Sequence, residues 1–341
     1  MDAQERLTFR VQTFVRDQIR SYRPTAADLR CLVASAATGP GAAPERLWYV
    51  TVDRALSCLA QLYRCVPRGV FEGLAEDILT ECAASVRRAA EALRQQRASR
   101  GTVEAADLEA TLFTIAQLLT LREQIAPFET DFAITQKALD FTQTREAMRS
   151  LMERRGRLGG LGGALELLQS GAPSIIQSHR DAKVALDAEL RECCERYIRH
   201  NTDAATRALT SLIVNQASAA GSDADALLDP IQVAAALDAA EGGVQGEVTR
   251  CRRLMAEYLP EPATQQILFG PIRSQILDTL GQVETLVNAT DLPLPKAKTM
   301  PRTSSTAAAE DGAGAQLPWS ERLARIAELV NALARAESVP A

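Results

Sequence analysis

Side chains that could carry out catalysis or bind a metal are sparse in this chain of 341 residues. The only two histidines, His179 and His200, fall in a helical pattern among polar residues, and no Cys-x-x-Cys or His-x-x-x-His spacing offers ligands to zinc. Cys193 and Cys194 are adjacent, and adjacent positions on a helix point about 100° apart, so two buried or half-buried thiols are favoured over a metal site. The sequence therefore predicts no metal and no cofactor.

A cluster of glycines at 156–163 and a pair of acidic residues, Glu129 and Asp131, are the other candidates for chemistry. The glycine cluster follows a charged helix and lacks the Gly-Lys-Ser/Thr ending of a phosphate loop, which favours a flexible turn between helices. The acidic pair is better explained as solvated loop charge. Since no nucleophile and base can be named, we expect no catalytic residues and no enzyme. The alternative is a soluble helical enzyme or small-molecule binder with an unrecognised site.

The composition favours a helical protein that binds neither nucleic acid nor a membrane directly. Apolar residues make up 46% and aromatic residues 4%, and alanine, the best helix former, is abundant. The formal charge of −5 provides no basic field for nucleic acid and no polybasic membrane anchor. We find neither a signal peptide nor an apolar run of about 18 residues. Scattered thiols indicate a reducing compartment; they are Cys31, Cys58, Cys65, Cys82, Cys193, Cys194 and Cys251.

Hydrophobic periodicity predicts helices along most of the chain, with no alternation of strands and helices. The short stretch 128–140 fits an extended segment or a distorted turn. The predicted helices cover residues 4–22, 45–66, 69–98, 103–125, 141–155, 173–217, 230–241, 244–259 and 263–289, with a short amphipathic helix near the end of the chain.

The run Leu-Arg-Glu-Gln-Ile-Ala-Pro-Phe at 121–128 is predicted to be an architectural joint. Pro127 must end the helix, because proline lacks an N–H and clashes with the preceding turn. Phe128 and Phe132 are expected to fold back onto the apolar residues before it. Arg122 is expected to pair with a carboxylate or with helix-terminal carbonyls. The apolar residues in question are Leu118, Leu121 and Ile125.

The end of the chain is predicted to contain a disordered segment, 291–318, followed by an amphipathic helix. The segment is rich in Pro, Ser, Thr, Ala and Gly. The helix is either a weakly held docking helix, on the last bundle or on a neighbouring subunit, or disordered when alone. Its apolar face consists of Leu323, Ile326, Val330 and Leu333, and its predicted solvated face consists of Glu321, Arg322, Arg325 and Glu328.

Three stretches resemble one known family in the same order. They are 48–74 (WYVTVDRALSCLAQLYRCVPRGVFEGL), 118–141 (LLTLREQIAPFETDFAITQKALDF) and 265–277 (QQILFGPIRSQIL), and Tyr22-Arg23-Pro24 with Asp28-Leu29 also fits. They resemble the C-terminal half of subunit 3 of the conserved oligomeric Golgi complex over about residues 7–290. The N-terminal coiled-coil part of that family, where assembly with sister subunits is expected, lies outside the match.

This resemblance implies an all-α fold, an elongated stack of antiparallel helical bundles of the multisubunit tethering-complex type. It implies a non-catalytic, peripheral subunit on the cytosolic face of the Golgi membrane and in the cytoplasm, acting in intra-Golgi retrograde vesicle transport and the upkeep of glycosylation enzymes. The implied partners are subunits 1, 2 and 4, with SNAREs, Rab GTPases and golgins at the level of the family. The family offers no catalytic or binding residues to carry over.

The expected organisation has five parts. They are an N-terminal helix at 1–30, a flexible connection at 31–46, a helical-bundle body at 47–290, a disordered linker at 291–318 and a C-terminal amphipathic helix at 319–337.

Overall fold

The computed structural model describes residues 3–26, 28–29, 48–126, 182–219, 229–290, 292–293 and 317–335. Within these ranges the regular structure is helical and contains no strand, which confirms the all-α prediction. The helices are α1 (Ala3–Phe14), continued by a π-helical segment (Val15–Arg20), α2 (Val50–Leu62), α3 (Arg68–Ala98), α4 (Val103–Ile125), α5 (Ala182–Ala219), α6 (Pro230–Tyr258), α7 (Pro262–Ala289) and α8 (Trp319–Arg335).

The chain divides into two compact units. Unit 1 comprises residues 1–197 and 254–262, and unit 2 comprises residues 198–253 and 263–341. Helices α5 and α6 each contribute residues to both units.

The core of unit 1 is the hairpin of α3 and α4, whose extents confirm the helices predicted at 69–98 and 103–125. Thr102 begins α4, and its hydroxyl accepts a hydrogen bond from the Ala105 N–H at 3.3 Å. Helix α2 packs on both members of the hairpin, and the π-helical segment packs on α2 and α3. Fully buried side chains of the hairpin include Ile78, Leu79, Leu93, Leu112, Phe113, Ile115, Leu118 and Leu121.

The first helix departs from the single α-helix predicted at 4–22. After Phe14 the chain continues as a π-helix, and the Ser21 N–H donates to the Arg16 carbonyl, five residues back, at 2.9 Å. The buried residues Val11, Val15 and Ile19 are each four positions apart. In an α-helix of 3.6 residues per turn, side chains four positions apart shift steadily around the helix axis. The wider π-helical turn offsets this shift and keeps the three side chains facing the core.

Helix α2 is shorter than the helix predicted at 45–66. Among the described residues it begins after Tyr49, whose backbone is extended (ψ 142°), and it ends at Leu62; residues 45–47 lie outside the described ranges. Arg64 then takes a left-handed backbone conformation with φ 64°, a common way to end a helix.

The predicted break between helices 230–241 and 244–259 is wrong. Helix α6 passes through Gly242 and Gly243 without interruption. A glycine inside a helix costs about 1 kcal/mol, but the buried stripe continues across the pair and its packing outweighs that penalty. The stripe consists of Val233, Leu237, Ala240, Val244, Val248 and Cys251.

Helix α7 confirms the helix predicted at 263–289 and contains Pro271 in its interior. Its buried stripe runs past the proline on both sides, through Leu268, Phe269, Ile272, Ile276, Leu280, Val283 and Val287.

Several sequence predictions lie outside the described residues. They concern Cys31, Pro127, Phe128, Glu129, Asp131, Phe132, His179, the stretch 128–140, the glycine cluster at 156–163, the helix at 141–155, residues 173–181 of the helix predicted at 173–217, the whole connection at 31–46, and most of the segment 291–318.

Candidate functional site

The chemically reactive groups of the described ranges are dispersed or buried. In these ranges no three His, Cys, Asp or Glu side chains lie close enough to hold a metal ion. Cys193 and Cys194 are buried, as the sequence predicts, and burial raises the pKa of their thiols to about 11 and about 12. Burial likewise raises the pKa of Cys82 to about 12. Such thiols stay protonated near neutral pH and are poor nucleophiles.

A small polar cluster follows the π-helical segment in unit 1. Asp28 accepts hydrogen bonds at its Oδ2 from the Tyr22 hydroxyl at 2.7 Å, the Thr25 N–H at 2.7 Å and the Thr25 hydroxyl at 2.8 Å. Burial alone would raise the pKa of Asp28, but these hydrogen bonds hold it below its ordinary value. Thr25 and Asp28 have the spacing of a capping box, so the cluster fixes the local backbone.

Two arginines cover the end of the π-helical segment. Arg54 of α2 donates to the Gln18 carbonyl at 2.9 Å and lies over the Tyr22 ring, 4.9 Å from its centre. Arg88 of α3 donates to the Arg20 carbonyl at 2.9 Å. The last carbonyls of a helix lack partners within it and carry partial negative charge, so Arg54 ties this end to α2 and Arg88 ties it to α3.

Ion pairs attach the start of α5 to the hairpin within unit 1. The Arg122 Nε lies 3.0 Å from the Asp187 Oδ1, and the Arg87 Nη1 lies 2.9 Å from the Glu189 Oε2. Arg122 therefore pairs with a carboxylate, one of its two predicted partners, on a helix distant in sequence. The pairing gives Arg122 a structural role.

Large apolar side chains are exposed in each unit. In unit 1, Phe9 of α1 is 63% exposed, and in unit 2, Ile231 of α6 is 65% exposed. Others are Val103, Val184, Val214, Ile267 and Leu317. The described helices lack the combination of length and apolar content that spanning a bilayer requires. Single exposed apolar side chains are common on protein surfaces, and it is contiguous apolar patches that mark contacts with protein partners.

Helix α8 covers one face of unit 2. It buries Trp319, Leu323, Ile326 and Val330, one stripe with spacings of four, three and four residues. The Trp319 Nε1–H donates to the Leu292 carbonyl at 3.1 Å, which satisfies the polar atom of the buried indole. The sequence left this helix either docked or disordered. In the structure it is docked, on α6 and α7 of unit 2.

Polar contacts surround this stripe. Arg322 donates to the Asp238 carboxylate and to the Ala234 carbonyl of α6. The Arg325 Nη2 lies 2.9 Å from the Glu241 Oε1. Arg322 is only 20% exposed, so its prediction as a solvated residue is wrong: its guanidinium lies over the Trp319 ring, 5.7 Å from the ring centre.

The acidic partners on α6 were not predicted from the sequence. Asp238 and Glu241 are three residues apart, as are Arg322 and Arg325, and the pairs follow one another in the same direction. Helices α6 and α8 therefore run parallel here. Farther along α8, the Asn331 Oδ1 accepts a hydrogen bond from the Arg273 Nε of α7 at 2.8 Å. The matched charge spacing is a signal that could have suggested this pairing.

Comparison with known protein families gives one consistent result. The family model described as "Conserved oligomeric Golgi complex subunit 3, C-terminal" matches residues 1–144. A second model, "COG3 C-terminal cap domain", matches residues 202–293, so the two together match more than half of the chain. Helix α8 lies beyond the second match.

Several curated proteins are similar to this chain. "Conserved oligomeric Golgi complex subunit 3" of Aedes aegypti is 28% identical, over 84% of this chain and 39% of the relative. The proteins of the same name from Mus musculus and Homo sapiens are each 31% identical, over 71% of this chain and 30% of the relative. The matched regions thus span between 30% and 39% of the length of these relatives. No solved structure matches.

Proposed function

Because this chain belongs to the family of subunit 3 of the conserved oligomeric Golgi complex, we propose that it is a non-catalytic subunit of that Golgi vesicle-tethering complex. It acts through protein–protein contacts in intra-Golgi retrograde vesicle transport and in the upkeep of Golgi glycosylation enzymes. The observation that carries the proposal is the pair of matched family models, in order along one chain.

The geometry of the described residues supports contacts rather than chemistry. The buried thiols are protonated near neutral pH, the arginines around α5 and the π-helical segment hold helices together, and apolar side chains such as Phe9 and Ile231 face solvent. Helices presenting such residues bind other helices or grooves.

The proposed partners are the sister subunits of the complex, in particular subunits 1, 2 and 4, together with SNAREs, Rab GTPases and golgins. The proposed location is the cytosolic face of the Golgi membrane, with the membrane reached only through partners. We further propose that the helices form an elongated stack of bundles of the tethering-complex type. The five-part organisation of the chain given above is part of the same proposal.

Affinity purification of the tagged chain from cells tests the subunit assignment, with mass spectrometry identifying the proteins that accompany it. We expect the sister subunits to be recovered, and the same tag on an unrelated helical protein to recover none. If the tagged chain, folded and expressed at a level similar to the endogenous relative, recovers neither a sister subunit nor a SNARE, Rab GTPase or golgin, the assignment is wrong.

Surface variants then test whether exposed apolar side chains make the contacts. Phe9→Ser in unit 1 and Ile231→Ser in unit 2 alter side chains that are more than 60% exposed, so each variant should fold normally. We expect at least one of them to reduce subunit recovery. Val103→Ser, at the first turn of α4, is a control with similar exposure at a turn between packed helices.

A further inference from the structure

One face of unit 2 is assembled for recognising a helix. This α8-binding face consists of Ala234, Asp238 and Glu241 of α6, Arg273 of α7 and the Leu292 carbonyl. It offers an acceptor for an indole N–H, two carboxylates three residues apart and a cation at its far side. Around these groups lies the apolar surface that buries the stripe of α8.

We infer that the α8-binding face is a docking site for an amphipathic helix of a partner protein, and that α8 is its exchangeable resident occupant. The partner helix has the chemistry of α8: a Trp anchor, apolar residues four, seven and eleven positions later, and arginines at the third and sixth positions after the Trp. This deepens the proposed function, on which the identity of a partner rests, by giving unit 2 a defined binding mode.

The contacts of α8 are those of a bound ligand. Its burial is confined to one stripe, and the opposite side, including Glu321, Ala324 and Glu328, is exposed. Trp319 at its first turn supplies a buried aromatic anchor, the residue type that dominates binding energy at interfaces. Asp238 is 72% exposed although it pairs with Arg322, which places the charge pair at the rim.

The position of α8 in the chain agrees with an exchangeable occupant. The family model of the cap domain ends at residue 293, so the face belongs to the matched domain and its cover does not. Residues 294–316 separate the two in sequence. A helix of 17 residues is marginal alone in water, so α8 gains its order from docking, as a segment that folds on binding does.

Occupation by α8 in the same chain makes the face a regulated site. While attached, α8 is present at a high effective concentration, and a partner helix must outcompete it. A partner with the same pattern and an additional contact can do so, and release of α8 then exposes its own apolar stripe. Binding of a partner helix and undocking of α8 are therefore one coupled event.

The test uses the whole chain with a site-specific protease sequence replacing residues 304–310. Cutting there turns the attachment of α8 into a two-component association without removing any described residue. The probe is a fluorescent peptide of residues 317–337, and its entry into the cut chain is followed by fluorescence anisotropy. We expect the peptide to exchange with α8, and unlabelled peptide to compete.

Peptide variants show whether the exchange is specific. Trp319→Ala should weaken competition by about 30-fold or more, since it removes the anchor. Arg322→Glu should weaken competition by about 10-fold, and Asp238→Arg in the cut chain should restore part of that loss. Arg335→Glu has the same charge change at an exposed position and should compete like the wild type.

Two results would overturn the inference. One is a cut chain that retains α8 and never admits the labelled peptide; the other is a loss of helical circular dichroism well beyond the 17 residues of α8 when α8 leaves. Either result makes α8 an integral part of the core. Because the experiment contains no other protein, its outcome is independent of whether sister subunits are recovered with the tagged chain.

Discussion

Gln117 of α4 makes a hydrogen bond to the backbone at the start of α2, and replacing it by leucine tests how α2 and α4 of unit 1 are held together. Its Oε1 accepts the backbone N–H of Tyr49, the residue before α2, at 2.9 Å. Gln117 is 3% exposed and Tyr49 is 1% exposed, so water cannot replace the lost acceptor. Leucine has a similar volume, which keeps the packing change small.

The expected loss in the free energy of unfolding is about 1–3 kcal/mol, the penalty for a buried donor left without a partner. In a unit of this size 1 kcal/mol shifts the midpoint of thermal unfolding by about 2–4 °C, so the melting temperature should fall by about 2–12 °C. Circular dichroism during heating measures this fall. Hydrogen exchange at the Tyr49 amide, by mass spectrometry, should accelerate in the variant.

The matched control is Gln61→Leu on α2, where the glutamine is exposed and the change should stay within about 0.5 kcal/mol. If Gln117→Leu melts at the same temperature as Gln61→Leu, the hydrogen bond from Tyr49 does not stabilise the start of α2 and the reasoning fails.

Three further perturbations follow from described features. Gly246→Ala should raise the free energy of unfolding by about 0.5–1 kcal/mol in urea denaturation, since the glycine is exposed within α6 with nothing within 4 Å of an added Cβ; an unchanged or lower value would contradict this. Asp28→Asn should lower the free energy of unfolding at pH 7, because the hydrogen bonds to Asp28 stabilise its ionised carboxylate and so depress its pKa. The difference from the wild type should vanish as the pH falls below about 3.9 and through the depressed native pKa of Asp28, where the carboxylate becomes protonated. A difference that stays constant from pH 7 to pH 2 would refute this prediction. Cys65 is exposed and should react with a maleimide in the native protein, whereas Cys82, buried with a pKa of about 12, should react only after unfolding, as peptide mapping would show.

Helix type and extent followed from the sequence where local signals and packing agree. The predicted bounds of α4, 103–125, agree with the structure, where Thr102 caps the first turn and buried apolar residues continue to Ile125. The break at Gly242 was wrong because a local penalty of about 1 kcal/mol is smaller than the gain from a continuous buried stripe. The π-helical turn after Phe14 was not predicted because it depends on packing against α2 and α3, and local hydrophobic periodicity carries no information about such tertiary contacts.

The candidate surface was half predicted. Spacing predicted Leu323, Ile326 and Val330 of the buried stripe of α8, since buried positions repeat along one helix. Leu333 was also predicted on this face but is only half-buried, and the buried Trp319 was not predicted. The partners Asp238 and Glu241 are more than 80 residues away in sequence, and pairing them with Arg322 and Arg325 required the packing of α8 beside α6. For the same reason Arg322 was assigned to solvent: its helical position is polar, but its neighbour across the interface is a carboxylate.

The two tryptophans give the chain built-in optical reporters. The sequence has only Trp48 and Trp319, and they belong to unit 1 and unit 2 respectively. In a Trp48→Phe variant the remaining indole emits from a buried site beside the guanidinium of Arg322, with its N–H on the Leu292 carbonyl. A buried indole emits at a shorter wavelength than one exposed to water. The emission wavelength of Trp319 and its quenching by iodide therefore report whether α8 is docked, in real time and without a label.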